Sequence, residues 1–356
     1  MTTITLPSAT LPSAPLSPGH DLAGPWQPNL SAGQVKRRIV TLIQRYVTVD
    51  HLRDRIADLP HQFHHPQPRP WSRITWAAIG PDQVSGMAVE VYCAIVLGSI
   101  NTEASIRGYT QASRQYLEHF YPPMAQFVGG TVDALGQVIT PGLWELEEKR
   151  HTPALTTIHH RLSGQRPTLN PHRARAYQPS GDPRADLYRH GLHRIATEYG
   201  ATCLYLWMMA YTTGPLQAVL EELLIDEINH MTKFWGFGRW AYPDTSLGMM
   251  AGTLTQAMVQ KWRQPNLQGS LIHTLRRMTH ELAWGQWSLS HWATFLSTFA
   301  QVMQVLWRWD QSLTLPYLEG LLGPHSDPGT MAFPRPLGRL TRATELGPRA
   351  KQPLSR

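Results

Sequence analysis

Glu148-Lys149-Arg150-His151 and Glu227-Ile228-Asn229-His230 are the two Glu-x-x-His stretches of this 356-residue chain, and each lies in a run that reads as helix. On a helix, positions i and i+3 project from one face, so each stretch offers a carboxylate and an imidazole to one metal ion. Two such stretches suggest two metals. Joined by one further Glu from each of two other helices, they complete the ligand set of a carboxylate-bridged dinuclear site inside a four-helix bundle. The expected fold is all-α: a four-helix bundle core with additional flanking helices.

Helix punctuation sets the organisation around these stretches. Residues 1–34 are rich in Pro, Ser and Thr and read as a mobile leader; with no Lys or Arg before Lys36 and no continuous apolar run, they are unlike a secretory signal. A helix is expected over about 33–58, then a Pro- and His-rich connector from His61 to Trp71. A long helix from Pro81 to Tyr121 carries Glu103, and a region broken near Pro141-Gly142 carries Glu148 and His151. The Arg-rich segment Arg166–Arg189 reads as a surface crossover. A helix from Pro183 to Gly214 contains Glu198, and Pro215 opens the one that contains Glu227 and His230. Three more helices are expected at about 246–263, 267–284 and 288–312. The domain reading is a single helical diiron domain over 35–322 and a Pro-, Gly- and Arg-rich tail over 323–356.

Composition narrows the class. Apolar residues make up 42% and charged residues 16% of the chain, with 13 Trp and 12 Met, which fits a large helix-packing core. The most apolar run, Ala201 to Tyr211, is shorter than the roughly 20 residues of a bilayer span, so no transmembrane helix is expected. Cys93 and Cys203 lack metal-type spacing and lie in separate apolar runs, which points to a reducing cytoplasm. The formal charge of +7 favours an acidic partner. Charge alone leaves carrier protein, nucleic acid and anionic membrane open; the reading adopted has no nucleic acid.

The two missing carboxylates follow from hairpin geometry. In antiparallel helices joined by a turn, residues equally far from the turn lie at the same height. Glu198 and Glu227 are centred between Thr212 and Thr213, within the turn signal Thr212-Thr213-Gly214-Pro215. Glu103 and Glu148 are centred between Ala125 and Gln126, bracketed by Pro122-Pro123 and Gly129-Gly130. Glu90 and Glu118 centre inside a helix and beyond the turn. The candidate metal ligands are Glu103, Glu148, His151, Glu198, Glu227 and His230. Four buried carboxylates require compensating cations, and carboxylate with imidazole suits iron or manganese. Asp226 is placed to accept a proton from the outer nitrogen of His151. Trp144, Tyr205, Trp207, Met208 and Met209 read as core packing, and His61, His64, His65, His159 and His160 as solvated residues.

The residues around these ligands resemble the soluble acyl-[acyl-carrier-protein] desaturases of the ferritin-like superfamily. Trp144-Glu-Leu-Glu-Glu148-Lys-Arg-His151 is similar to their W-x-x-E-E-x-R-H stretch, and Ile225-Asp-Glu227-Ile-Asn-His230 to their A-D-E-x-x-H. Asn101-Thr-Glu103-Ala with Tyr109 resembles T-E-x-x-L-x-x-Y, and His61-Gln-Phe63 with Pro70-Trp71-Ser-Arg73 resembles an H-E-Y-x-P-W segment. The likeness spans about residues 35–240. It implies two iron ions, O₂ activation with two electrons from a ferredoxin-type donor, and an acyl chain delivered on acyl carrier protein; members are commonly homodimers. The family's Thr three residues after the third-helix ligand is Ala201 here, while Thr202 lies at the four-residue spacing of diiron hydroxylases. Desaturation and monooxygenation (hydroxylation or N-oxygenation) therefore both stay open, with Thr202 and Asp226 the candidate catalytic residues. A non-catalytic ferritin-like metal-binding protein is the rival outside enzymology.

Overall fold

In the computed structural model of the chain the described residues are 30–170, 181–245 and 282–323. The fold is all-α: the described residues form twelve α-helices, a few 3₁₀ turns and one two-stranded hairpin. The expected helices at 246–263 and most of 267–284 lie outside the described residues, as do Arg173, Arg175, nearly all of the leader and the tail beyond Gly323.

Local chemistry divides several helices that periodicity reads as one. The first becomes α1 (Ala32–Tyr46) and α2 (Val49–Ala57), because Thr48 leaves the helical conformation and its hydroxyl caps the His51 N–H. α3 (Leu59–His64) follows, with Pro60 in its first turn. The run from Pro81 to Tyr121 becomes a 3₁₀ turn at Pro81–Gln83, then α4 (Val89–Glu103) and α5 (Ile106–Leu117). The division at Ala104-Ser105 comes directly after Glu103. Next are α6 (Pro122–Gly129), the hairpin β1 (Thr131–Val132) and β2 (Val138–Thr140), α7 (Leu143–Glu148) and α8 (His151–Ser163).

The α7–α8 division falls inside the first Glu-x-x-His. Pro153 has no N–H for the carbonyl of Lys149 and its ring crowds that carbonyl, so the helix stops and restarts with Pro153 in its first turn. α9 (Pro183–Met209) and α10 (Gly214–Ala241) are the longest helices; α9 ends at Met209, five residues short of the expected Gly214. Gly214 takes a left-handed φ of 56° in the turn between them. α11 (Leu289–Ser312) and α12 (Leu315–Leu322) complete the described fold.

α9 lies along α10, α4 packs on α8, and α8 also meets α10; α5 packs on α6, α7 and α9. The helices that carry the six candidate ligands thus surround one interior. α11 covers α9 and α1 on one flank. Trp144, Tyr205, Trp207, Met208 and Met209 are all buried in the core, with Trp207 stacked on Trp287 at 4.6 Å between ring centres. No described helix is long and apolar enough to cross a membrane.

Candidate metal centre

The interior converges on two overlapping ligand sets. Glu103, Glu148, His151 and Glu227 form one, and Glu148, Glu198, Glu227 and His230 the other; within each set the ligand atoms lie within 4.8 Å of one another. All six residues are buried. Glu103 comes from the end of α4, Glu148 and His151 from the α7–α8 junction, Glu198 from α9, and Glu227 and His230 from α10. The turn between α9 and α10 brings Glu198 to Glu227 as the hairpin argument expects; the midpoint of Glu103 and Glu148 falls inside α6 and not in a turn, and those two residues meet because α4 packs on α8. Each set can hold a metal ion, and Glu148 and Glu227 are common to both.

Both imidazoles turn the same nitrogen inward. His151 Nδ1 lies 3.1 Å from Glu227 Oε1, 3.3 Å from Glu148 Oε2 and 3.7 Å from Glu103 Oε2. His230 Nδ1 lies 3.0 Å from Glu148 Oε1 and 3.7 Å from Glu198 Oε2. Yet Glu103 Oε2, Glu148 Oε2, His151 Nδ1, Glu227 Oε1 and His230 Nδ1 are buried without a hydrogen-bond partner. An unsatisfied buried polar atom costs about 1–3 kcal/mol, more if charged. Here five of them face one another, which is the pattern a bound cation resolves. The residues present fit a dinuclear metal group.

The outer nitrogens are held by acids on the opposite helix. His151 Nε2 lies 3.4 Å from Asp226 Oδ2, and His230 Nε2 lies 2.9 Å from Glu147 Oε2. Asp226 directly precedes Glu227, and Glu147 directly precedes Glu148, so each half contributes an acid-Glu-x-x-His unit whose acid crosses to the other unit's histidine. This cross-bracing fixes the ring orientation and keeps Nδ1 free for a metal. Among the other contacts, Trp144 Nε1 donates to Glu148 Oε1 at 2.8 Å, and the Tyr205 hydroxyl donates to Glu103 Oε1 at 2.8 Å.

A third layer comes from the connector between α3 and α4. The Arg69 guanidinium donates to Asp226 Oδ1 (3.0 Å) and to the Glu222 carbonyl (2.8 Å), while its backbone N–H donates to Glu147 Oε1 (2.9 Å). Trp71 Nε1 and Arg150 each donate to Asp226 Oδ2 at 2.9 Å. Arg69 and Arg150 thus offset the charge of the outer acids.

Electrostatics show what the cluster does with protons alone. Burial, reinforced by the charge on Glu148, pushes the Glu227 carboxyl well above its ordinary 4.5, and burial also raises Glu103. Against the effect of burial, His151 is held well above 6.5 by the Glu148 charge, and His230 by its hydrogen bond to Glu147. Burial likewise opposes ionisation of Asp226, but its bond to His151 and the Arg69 charge hold it at about 2. Protons on imidazole and carboxyl here take the place of cations.

Thr202 is fully buried one helical turn after Glu198, and its hydroxyl has no partner. Among the described residues a partly open apolar cleft runs between α5, α6 and the facing ends of α9 and α10. Its inner wall includes Arg194 and Ile195, one turn before Glu198, and Phe234, one turn after His230; its outer end reaches Leu187 and Thr245. Phe234 meets Trp144 edge-on at 5.1 Å, so two rings, Phe234 and Trp144, separate the cleft from the ligand Glu148. Trp207 and Met209 do not line it.

No protein-family model, no curated protein and no solved structure matches this chain.

The sequence reading left Glu147, Glu222, Arg69 and Arg150 without roles. For Glu147 a signal was available, since the same acid-Glu-x-x-His unit occurs twice. Arg69 and Glu222 are brought together across 153 residues of sequence and have no local pattern.

Proposed function

We propose that this protein is an O₂-dependent diiron oxidoreductase of the acyl-[acyl-carrier-protein] desaturase type, which introduces a double bond into an acyl chain. The reading is carried by the five unpartnered ligand atoms that face one another in two sets sharing Glu148 and Glu227. Iron is preferred, with manganese the alternative, since carboxylate and imidazole suit either. Oxidation of an unactivated C–H pair by O₂ is the chemistry such a centre supplies when loaded.

The chain's own residues place and protect that chemistry. Asp226 and Glu147 hold the outer protons of the two imidazoles and aim both Nδ1 atoms inward. Tyr205 fixes one oxygen of Glu103 and leaves the other for a metal, while Trp144 orients the Glu148 carboxylate through the oxygen that faces His230. The apolar cleft ending at Phe234 and Ile195 suits a hydrocarbon chain and excludes water from the ligand side. Acyl carrier protein as the delivering partner is supported by the basic balance of the chain, and a ferredoxin-type donor by the family resemblance.

A second reading, diiron monooxygenation, is favoured by Thr202. Its partnerless hydroxyl sits one turn from Glu198, where it can hold or pass a proton that the desaturase pattern places one residue earlier. Acyl-carrier substrates incubated with O₂, ferredoxin and reductase separate the two: mass spectrometry of the product should show the loss of two hydrogens. Gain of one oxygen selects the monooxygenase reading, and Thr202→Val should then lower turnover while leaving metal content unchanged. Unaltered substrate across chain lengths, with metal bound, sinks both.

A further inference from the structure

The short helix α3 has one face in the core and a histidine face in solvent. Leu59 is buried, and Phe63 packs on Tyr121 at 5.7 Å and on Phe127 at 6.4 Å between ring centres, where α3 meets α6. At about 100° per residue His61, His64 and His65 are centred on the side opposite these two, and all three are exposed. The His65 N–H donates to the His61 carbonyl at 2.9 Å, which closes the last turn and sets residues i and i+4 side by side. The His61 and His65 ring centres are 5.3 Å apart, with their planes inclined at 44°. Exposed histidines are ordinarily solvated and no more. Two features distinguish this pair.

The first is spacing. Two imidazoles that each give one nitrogen to a tetrahedral ion at about 2.0–2.1 Å hold their ring centres about 5 Å apart, and histidines at i and i+4 on a helix meet this condition. The second is the lack of carboxylate. From Leu59 to Pro81 the sequence contains no Asp or Glu, and Asp58 is turned to Gln62 Nε2 (3.0 Å) and Lys233 Nζ (3.4 Å). An all-nitrogen pair selects zinc, copper(II) or nickel over the magnesium, calcium or manganese that oxygen ligands hold. We propose that His61 and His65 chelate one such ion, which braces the root of the connector that lies over the interior ligands.

The connector leaves directly from this pair. His65 is followed by Pro66-Gln67-Pro68-Arg69-Pro70-Trp71, whose alternating prolines stiffen the chain. The Gln67 N–H donates to Gln62 Oε1 (3.2 Å), which ties the connector back to the turn that holds both imidazoles. Arg69, four residues beyond His65, then reaches Asp226 and Glu147. A six-residue helix is marginal by itself, and a chelate across its last turn opposes fraying. His61-Gln62-Phe63-His64-His65 has the His spacing of the H-E-x-x-H zinc metalloproteases with Gln where the general-base Glu stands, so the role assigned is binding and not hydrolysis. The pair shares no residue with the two interior ligand sets, and either can fail without the other.

Dialysis of the full chain, isolated with its interior metals, against Zn²⁺ followed by elemental analysis tests the site. Wild-type protein should take up about one more zinc ion per chain than His61→Ala or His65→Ala, and either change should weaken that uptake at least about tenfold. Both positions are exposed, so helical circular dichroism should not change. His119→Ala, whose ring is 80% exposed elsewhere on the surface, should behave as wild type. Glu148→Ala removes a shared interior ligand and should keep the extra ion. With Cu²⁺, electron paramagnetic resonance should show splitting from about two imidazole nitrogens in wild type and about one in each variant. Zinc should slow hydrogen exchange at the Gln67 and Arg69 amides of wild type but not of His61→Ala. Equal zinc uptake by wild type and both histidine variants overturns the site, as does loss of the extra ion in Glu148→Ala. Zinc binding that leaves exchange at Gln67 and Arg69 unchanged overturns the brace.

Discussion

Glu148 and Glu227 belong to both ligand sets, whereas Glu103 and Glu198 belong to one each. Removal of a shared carboxylate should therefore empty both positions, and removal of an unshared one only its own. Wild-type protein is expected to bind about two iron or manganese ions per chain. Elemental analysis should find neither ion retained in Glu148→Ala or Glu227→Ala, and about one in Glu103→Ala or Glu198→Ala. Equal occupancy in all four variants would contradict the bridged arrangement. The choice of Glu103 over Glu90 and Glu118 rested on distance from a turn alone, and the structure brings Glu103 into the first set. The hairpin behind that argument does not form: the midpoint between Ala125 and Gln126 lies inside α6, and Glu103 reaches Glu148 because α4 packs on α8. Asp226 reaches His151 where α8 meets α10. Glu147 repeats the relation from the other half, and one repeated unit would have exposed it.

At the scale of elements, two segments hold the α7–α8 junction in place. Arg69 in the connector bonds to Asp226, Glu222 and Glu147 at once, and breaking a buried ion pair from one side typically costs about 3–5 kcal/mol. With the Arg69 side chain 24% exposed, the lower end applies: Arg69→Ala should lower unfolding free energy by about 3 kcal/mol in denaturant titration. The conservative Arg69→Lys keeps the charge but not the fork, and should recover only part of this. The second segment is the approach of α7 to α6. A Cβ on Gly142 would lie 2.5 Å from the Val128 carbonyl carbon and oxygen, both backbone atoms that cannot swing aside. Gly142→Ala should destabilise by about 1–3 kcal/mol and reduce metal retention, because it shifts the start of the helix that carries Glu148. Thermal melts and elemental analysis check both effects. Neither segment was legible from periodicity. The connector has none, and its importance comes from residues that it meets only after folding.

For the whole molecule, metal binding and folding are linked through protons. In the metal-free protein the raised His151 and His230 stabilise the fold fully below 6.5 and lose that contribution as pH rises through their folded values. Glu103 and Glu227, pushed above 4.5 chiefly by burial, act in the same direction, since the fold disfavours their ionised forms. The low-lying Glu147, Glu148 and Asp226 contribute fully above 4.5 and drop out only in acid. Metal-free protein should therefore lose stability as pH rises above 6.5. Metal displaces the same protons and binds more tightly over that range. The rise in Tm on adding Fe²⁺ or Mn²⁺ should be larger at about pH 8 than at about pH 6 by differential scanning fluorimetry. A metal-dependent shift that shrinks with rising pH would argue against this cluster as the binding site.

By itself the sequence determined the helical class, the two Glu-x-x-His units, and through the turn between α9 and α10 the pairing of Glu198 with Glu227. These are properties of short range: a helix repeats every few residues, and a short turn makes two helices read one another. Tertiary structure alone decided that the α3–α4 connector folds over the ligands, that Arg69 holds both outer acids, Glu147 and Asp226, and that a cleft ends two rings from Glu148. Those contacts join segments more than 70 residues apart. Their energy comes from burial and charge compensation in a shared interior, which no local pattern along the chain encodes.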